Sequence, residues 1–142
     1  MLRLKNILIV LSLAVIMVGS VNAATLVWSD EFNGTSIDTS KWVFDVGSGW
    51  GNSQLEYDTN GLNASVSGGS LIIEARKESY GGKSFTSTRM KTQGKFSFQY
   101  GTVEIRANIP NLANGLWPAL WMMGTNGLTW PANGEIDIME MG

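Results

Sequence analysis

Three carboxylates fall within six positions near the end of the chain, in Glu135-Ile136-Asp137-Ile138-Met139-Glu140. Acids alternating with apolar residues predict a strand with one face in a core and one face of carboxylates. Like charges on one face repel, so such a strand is costly unless its charges are used. Two carboxyl groups held in different protonation states are what cleavage of a glycosidic bond requires. Read by themselves, the six residues also fit a solvated acidic edge strand whose charges discourage aggregation.

Spacing narrows the choice. Glu135 and Asp137 are two apart and share a face. Glu140 is five from Glu135 and in a regular strand would point away. One extra residue, a β-bulge near Met139, would return it to the same face. The two Glu would then be about four strand positions apart, roughly 13 Å along the backbone. Side chains leaning inward would bring their carboxyls to roughly 5 Å, the separation of a retaining glycosidase.

The elements that must position these acids are strands. Leu26 to Gly34 reads as a short strand running into a turn. Asp38 can cap a single helical turn ahead of a strand over Trp42-Val43-Phe44. Gly47 to Ser53 is a loop by composition, and Leu55-Glu56-Tyr57 resumes a strand. Gly68-Gly69 is the two-residue turn of a hairpin joining Ala64–Ser67 to Ser70–Lys77. Leu71, Ile73 and Ala75 fall on one face of its second strand. Further strands are expected over Ser84 to Met90, Lys95 to Tyr100 and Thr102 to Ile109, the last ended by Pro110. Ala119–Met123 reads as a buried strand, and the loop from Gly124 to Gly134 carries Trp130-Pro131. About eight short strands separated by Gly turns predict an all-β sandwich or barrel.

Composition sets the compartment. Arg3 and Lys5 precede an apolar run from Ile7 to Val18, and Val21-Asn22-Ala23 offers a small-residue cleavage site. Residues 1–23 therefore read as a secretory signal peptide, too short to span a bilayer comfortably. The expected location is secreted or periplasmic, with no stable membrane insertion after its removal. The chain has no Cys, so no disulfide holds it. Without Arg3 and Lys5 it keeps 8 basic against 12 acidic residues, a net charge of −4. With no basic run, nucleic acid is excluded as partner. With no His, a histidine base is excluded. Asn33-Gly34-Thr35 and Asn63-Ala64-Ser65 fit the pattern for N-glycosylation.

Several stretches together resemble the laminarinase-like members of glycoside hydrolase family 16, which are endo-β-1,3-glucanases. They are Val27–Phe32, Trp50–Tyr57, Phe85–Met90, Gly94–Gly101, Gly115–Trp121 and Trp130–Glu140. The last is highly specific; the others are weak singly and strong together. The resemblance implies a β-jelly-roll sandwich of two antiparallel sheets, concanavalin A-like, with a sugar cleft on the concave sheet. A family domain is about twice as long as residues 24–142, which correspond to its N-terminal part. The fold is therefore expected to be truncated after the catalytic strand, with little turnover by this stretch alone.

Carried over by position, the resemblance implies that Glu135 is the nucleophile, Glu140 the general acid/base and Asp137 the assisting carboxylate. It places Asn52 and Arg89 on sugar hydroxyls, where the alternatives are a turn residue and a surface charge. Trp117, Trp121 and Trp130 resemble cleft aromatics. Trp117 and Trp130, each before Pro in a loop, favour the cleft, while Trp121 fits core or cleft equally. The implied partner is a polysaccharide, a β-glucan, bound by a monomer. No cofactor is implied for catalysis. A structural calcium on the convex side is allowed, with Glu31 and the backbone of Gly69 matching its partners, although calcium wants six or more oxygens. Two alternatives remain at this point: a non-catalytic β-glucan-binding protein on the same fold, and a relative acting on mixed-linkage glucan or galactan. Retention of all three acids disfavours the binder.

Overall fold

The computed structural model describes residues 24–111 and 115–141; the signal peptide expected over 1–23 lies outside the described residues. Eight short strands and no helix occur among them. These are β1 (Val43–Asp45), β2 (Glu56–Asp58), β3 (Ala64–Ser67), β4 (Ser70–Ile73), β5 (Phe85–Ser87), β6 (Arg89–Lys91), β7 (Ala119–Met123) and β8 (Glu135–Glu140). They form four two-stranded ladders, β1–β6, β2–β5, β3–β4 and β7–β8. Three ladders are antiparallel; β2 and β5 run parallel, with the β3–β4 hairpin in the crossover between them.

Local chemistry explains most elements. Gly68 and Gly69 take φ of 59° and 71°. Two successive positive φ values make the tight hairpin turn that L side chains resist, so Gly-Gly sets the β3–β4 register. Asp38 caps its turn as expected. Its carboxylate accepts from the Ser40 N–H at 2.9 Å, and its carbonyl accepts from the Lys41 and Trp42 N–H groups.

Other expectations are corrected. The stretch from Ser84 to Met90 is two strands. Buried Thr88 breaks it and passes the chain from the ladder with β2 to the ladder with β1. Strand β4 stops at Ile73, which is exposed, and Arg76 makes only an isolated bridge to Thr86. Leu26 to Gly34 contains no strand. Aromatic contacts hold it instead, with Trp28 edge-on to Trp42 at 5.6 Å and stacked on Phe96 at 5.6 Å. Lys95 to Tyr100 and Thr102 to Ile109 alternate cleanly in sequence yet form no strand. Alternation specifies a face, but a strand also needs a neighbour for its N–H and C=O groups. No described residue forms a ladder with either stretch: the Lys95 and Phe96 N–H groups turn back to the Thr92 carbonyl, and Tyr100, Val103 and Ile105 are exposed.

The interior is more polar than the composition predicts. Among the described residues, Val66 is the buried apolar side chain, whereas Thr59, Asn63 and Thr86 are the most enclosed. They satisfy one another. The Thr59 hydroxyl donates to Asn63 Oδ1 at 2.8 Å, and Asn63 Nδ2 donates to Thr86 Oγ1 at 2.8 Å and to the Glu74 carbonyl at 3.0 Å. Thr86 Oγ1 donates in turn to Glu78. A buried polar network is tolerated only when its members are paired in this way. Asn63 is therefore closed to glycosylation in the folded chain, despite its matching triplet, while Asn33 is exposed. Among the described residues, no helix is long and apolar enough to cross a membrane.

Candidate active site

The β7–β8 ladder carries the acids. Glu135 lies opposite Met123, Ile136 opposite Met122 and Asp137 opposite Trp121. The register then slips by one residue between Trp121 and Leu120, so that Met139 faces Leu120 and Glu140 faces Ala119. Ile138 is the extra residue, a β-bulge beside Met139 where the spacing calls for one. The partners of Glu135, Asp137 and Glu140 are thus Met123, Trp121 and Ala119, alternate residues of one strand. Cross-strand partners share a face, so all three carboxylates stand on the same face.

Hydrogen bonds extend both ends of the ladder. Gly124 N–H donates to the Gly134 carbonyl at 3.0 Å, and Met141 N–H donates to the Pro118 carbonyl at 3.2 Å. Gly124 has a packing reason as well: a Cβ there would lie 1.8 Å from the Asn133 carbonyl oxygen. The loop from Gly124 to Gly134 closes tightly on this contact and carries Trp130, joined to Pro131 by a cis peptide bond.

Two loop tryptophans reach the outer acids. Trp130 Nε1 donates to Glu135 Oε2 at 2.5 Å, and Trp117 Nε1 donates to Glu140 Oε1 at 3.1 Å. Each outer carboxylate is therefore oriented by one indole. Trp130 is 65% exposed and Trp117 59%. Their ring faces are open, as a platform for the apolar C–H face of a sugar must be. The three acids are exposed too. Strand β7 is only half-buried, against the expectation of a buried strand.

Trp121 belongs to the site face rather than the core. It is half-buried opposite Asp137, and Arg89 Cζ sits 4.7 Å from its ring centroid. Arg89 also lies 5.4 Å from the Trp50 ring, so two indoles flank its guanidinium. Asp45 anchors Arg89 through its Nε at 3.2 Å and also pairs with Lys91. Asn52 is exposed in a left-handed turn, φ 51°, two residues beyond Trp50. Of the expected sugar-binding positions, Arg89 and Trp121 meet opposite Asp137, whereas Asn52 makes no described contact with them.

Sequence reasoning passed over Trp50, Asp45 and Asp58 as site residues. Trp50 stood within a recognised stretch but was given no role. Buried Asp58 accepts from Trp50 Nε1 at 2.9 Å. Burial raises its pKa to about 6, with Glu56 and Asp45 adding to the rise and the Trp50 hydrogen bond and Arg89 opposing it. No periodicity marks these contacts, because they join three different ladders.

Glu31 and Gly69 also meet. A Cβ on Gly69 would lie 4.0 Å from the Glu31 carbonyl oxygen and 3.7 Å from Asn33 Oδ1. These are neutral oxygens of the kind a hard cation takes. Among the described residues, no cluster of three or more His, Cys, Asp or Glu could hold a metal.

Three carboxylates on one face, flanked by exposed indoles, supply the kinds of group that glycosidic cleavage uses. The family model described as XgeA-like, catalytic GH16 domain, matches residues 52–142. The chain is 54% identical over 123 residues to a β-glucanase of Rhodothermus marinus, covering 81% of this chain and 43% of that protein. It is 42% identical over 137 residues to glucan endo-1,3-β-glucosidase A1 of Niallia circulans, covering 81% and 20%. In structure it resembles the catalytic domain of an endo-1,3-β-glucanase from Thermotoga petrophila. The TM-score is 0.78 at 49% identity, over 85% of this chain and 52% of that one. The chain belongs to glycoside hydrolase family 16. It spans about half the length of the Rhodothermus and Thermotoga relatives.

Proposed function

We propose that this chain carries the catalytic carboxylates of an exported, monomeric endo-β-1,3-glucanase that acts with retention. The observation that carries the reading is the bulge at Ile138, which puts Glu135, Asp137 and Glu140 on one face. In the first step the Glu135 carboxylate attacks the anomeric carbon while the Glu140 carboxylic acid protonates the departing glycosidic oxygen. The C–O bond to the leaving sugar breaks and a glycosyl ester forms on Glu135. In the second step the Glu140 carboxylate takes a proton from water. The water oxygen attacks the anomeric carbon and the ester bond breaks, regenerating both groups. Asp137, between them, holds the pair in position, and Trp130 and Trp117 orient the two outer carboxylates.

The domain is read as a jelly roll whose concave sheet includes β7 and β8. Arg89 and Asn52 contact sugar hydroxyls, and Trp117, Trp121 and Trp130 stack on sugar rings. Location is secreted or periplasmic. The glucan is the partner, with no role for nucleic acid or stable membrane insertion. Catalysis needs no cofactor. A calcium ion held by the Glu31 carbonyl, Asn33 Oδ1 and the Gly69 backbone would serve stability alone.

The 142-residue chain by itself turns over glucan poorly. A retaining site needs a rigid, closed shell, and here the acids and two of their indoles are open to water. Trapping tests the mechanism in the full-length protein. An activated 2-deoxy-2-fluoro-laminaribioside should leave its sugar esterified to the peptide containing Glu135, as read by mass spectrometry. Labelling at another residue would overturn the assignment.

A further inference from the structure

The chain holds a buried carboxylate that the hydrolytic mechanism does not use. Asp58 ends β2, and its backbone exchanges two hydrogen bonds with Gly47, at 2.7 and 3.0 Å. Its side chain accepts the Trp50 indole N–H. Trp50 in turn packs over Gly47, where an added Cβ would lie 3.5 Å from its ring. The indole is therefore fixed at two points, by contact with Gly47 and by the bond to Asp58. Arg89 Cζ lies over this ring at 5.4 Å from its centroid and over the Trp121 ring at 4.7 Å.

We propose that Asp58 is a positioning residue for the sugar-contacting Arg89: it fixes Trp50, and Trp50 together with Trp121, the ladder partner of Asp137, holds the guanidinium. Two anchors then restrain Arg89. Asp45 holds Nε at 3.2 Å, and both indoles stand within cation–π reach. Pre-ordering an arginine lowers the entropy lost when it meets a sugar hydroxyl. The choice of Asp here is costly, because a buried carboxylate resists ionisation. That cost is accounted for if the acceptor at this point sets the indole. The link to sugar binding rests on the glucanase reading above; the clamp itself does not.

Three variants of the full-length protein in a Glu135→Gln background test the proposal. Asp58→Asn keeps an acceptor for the indole. Asp58→Leu removes it. Trp50→Phe keeps an aromatic face but removes the donor. Two quantities are read: the Arg89 Nε–H signal in NMR, displaced by the ring currents of the two indoles, and Kd for laminarihexaose. Thermal melting confirms that each variant folds. Asp58→Leu and Trp50→Phe should move the Arg89 signal towards that of a free arginine and weaken binding about tenfold. Asp58→Asn should retain most of both. An unchanged Arg89 signal in Asp58→Leu, or a moved signal with unchanged Kd, would overturn the proposal. A moved signal in a protein whose parent binds no laminarihexaose would uphold the clamp and sink the glucanase reading.

Discussion

Asp137 of β8 faces Trp121 of β7, and two residues later Met139 faces Leu120, the immediate neighbour of Trp121. Ile138 has no partner of its own. This single extra residue sets the chemistry of the face, because strand side chains alternate and one residue reverses every position beyond it. Inserting one Ala between Ile138 and Met139 should turn Glu140 to the opposite face while leaving Glu135 and Asp137 in register. Turnover of laminarin by the full-length protein should fall by about a thousandfold or more, as for loss of a catalytic acid. Circular dichroism should still report a folded β protein. Activity near the parent level in the insertion variant would mean that strand register does not govern the site.

The Trp130 indole gives its N–H to Glu135. Trp130→Phe keeps an aromatic face for a sugar and removes only the donor. A hydrogen bond to a charged group is worth about 1.5–3 kcal/mol, so kcat should fall roughly 10- to 100-fold with a smaller change in KM. Stopped assays on laminarin separate the two. A change confined to KM would make Trp130 a sugar platform with no part in holding the nucleophile.

Asp58 links stability to pH. Its pKa is raised from 3.8 to about 6, first by burial, then by Glu56 and Asp45, against the opposing effect of Trp50 and Arg89. The folded chain thus binds this proton more tightly than the unfolded chain. The associated stability is fully present below pH 3.8 and is lost as pH rises to about 6. At about 1.4 kcal/mol per pH unit, the loss is at most about 3 kcal/mol. Asp58→Asn cannot ionise. It should be more stable than the parent at pH 7.5 and close to it at pH 4, as measured by urea melts. An advantage that grew towards acid would contradict the assignment.

Much of the site was legible in the sequence, and the reason is local. Glu135, Asp137 and Glu140 lie in one strand, so period two and one bulge predict their face without any partner. Gly68-Gly69 and Asp38 were legible for the same reason: a positive-φ turn and a cap are decided within four residues. What failed to show depends on neighbours distant in sequence. Thr102 to Ile109 has the alternation of a strand but no described partner to pair with. Thr86 looked like one residue of a longer strand, yet it is a buried hub joining Asn63 to Glu78. Asp58 carries no local signal at all, since its role comes from Trp50 on a loop and Arg89 on another ladder.

The oxygens gathered at Gly69 make a further prediction. Calcium should raise the melting temperature of the protein by several degrees, and chelation should reverse the gain. Asn33→Ala should abolish the response without changing kcat, because Asn33 is remote in sequence from β8 and contributes nothing to the acids. A melting temperature indifferent to calcium would remove the ion from the account.

The central claim is retaining hydrolysis with Glu135 as nucleophile. Proton NMR of laminarin during the first minutes of digestion by the full-length protein tests it most directly, run beside Glu135→Gln. New reducing ends should appear first as the β-anomer, then drift to the equilibrium mixture, and Glu135→Gln should release almost none. Release of the α-anomer first, or undiminished hydrolysis by Glu135→Gln, would contradict the claim.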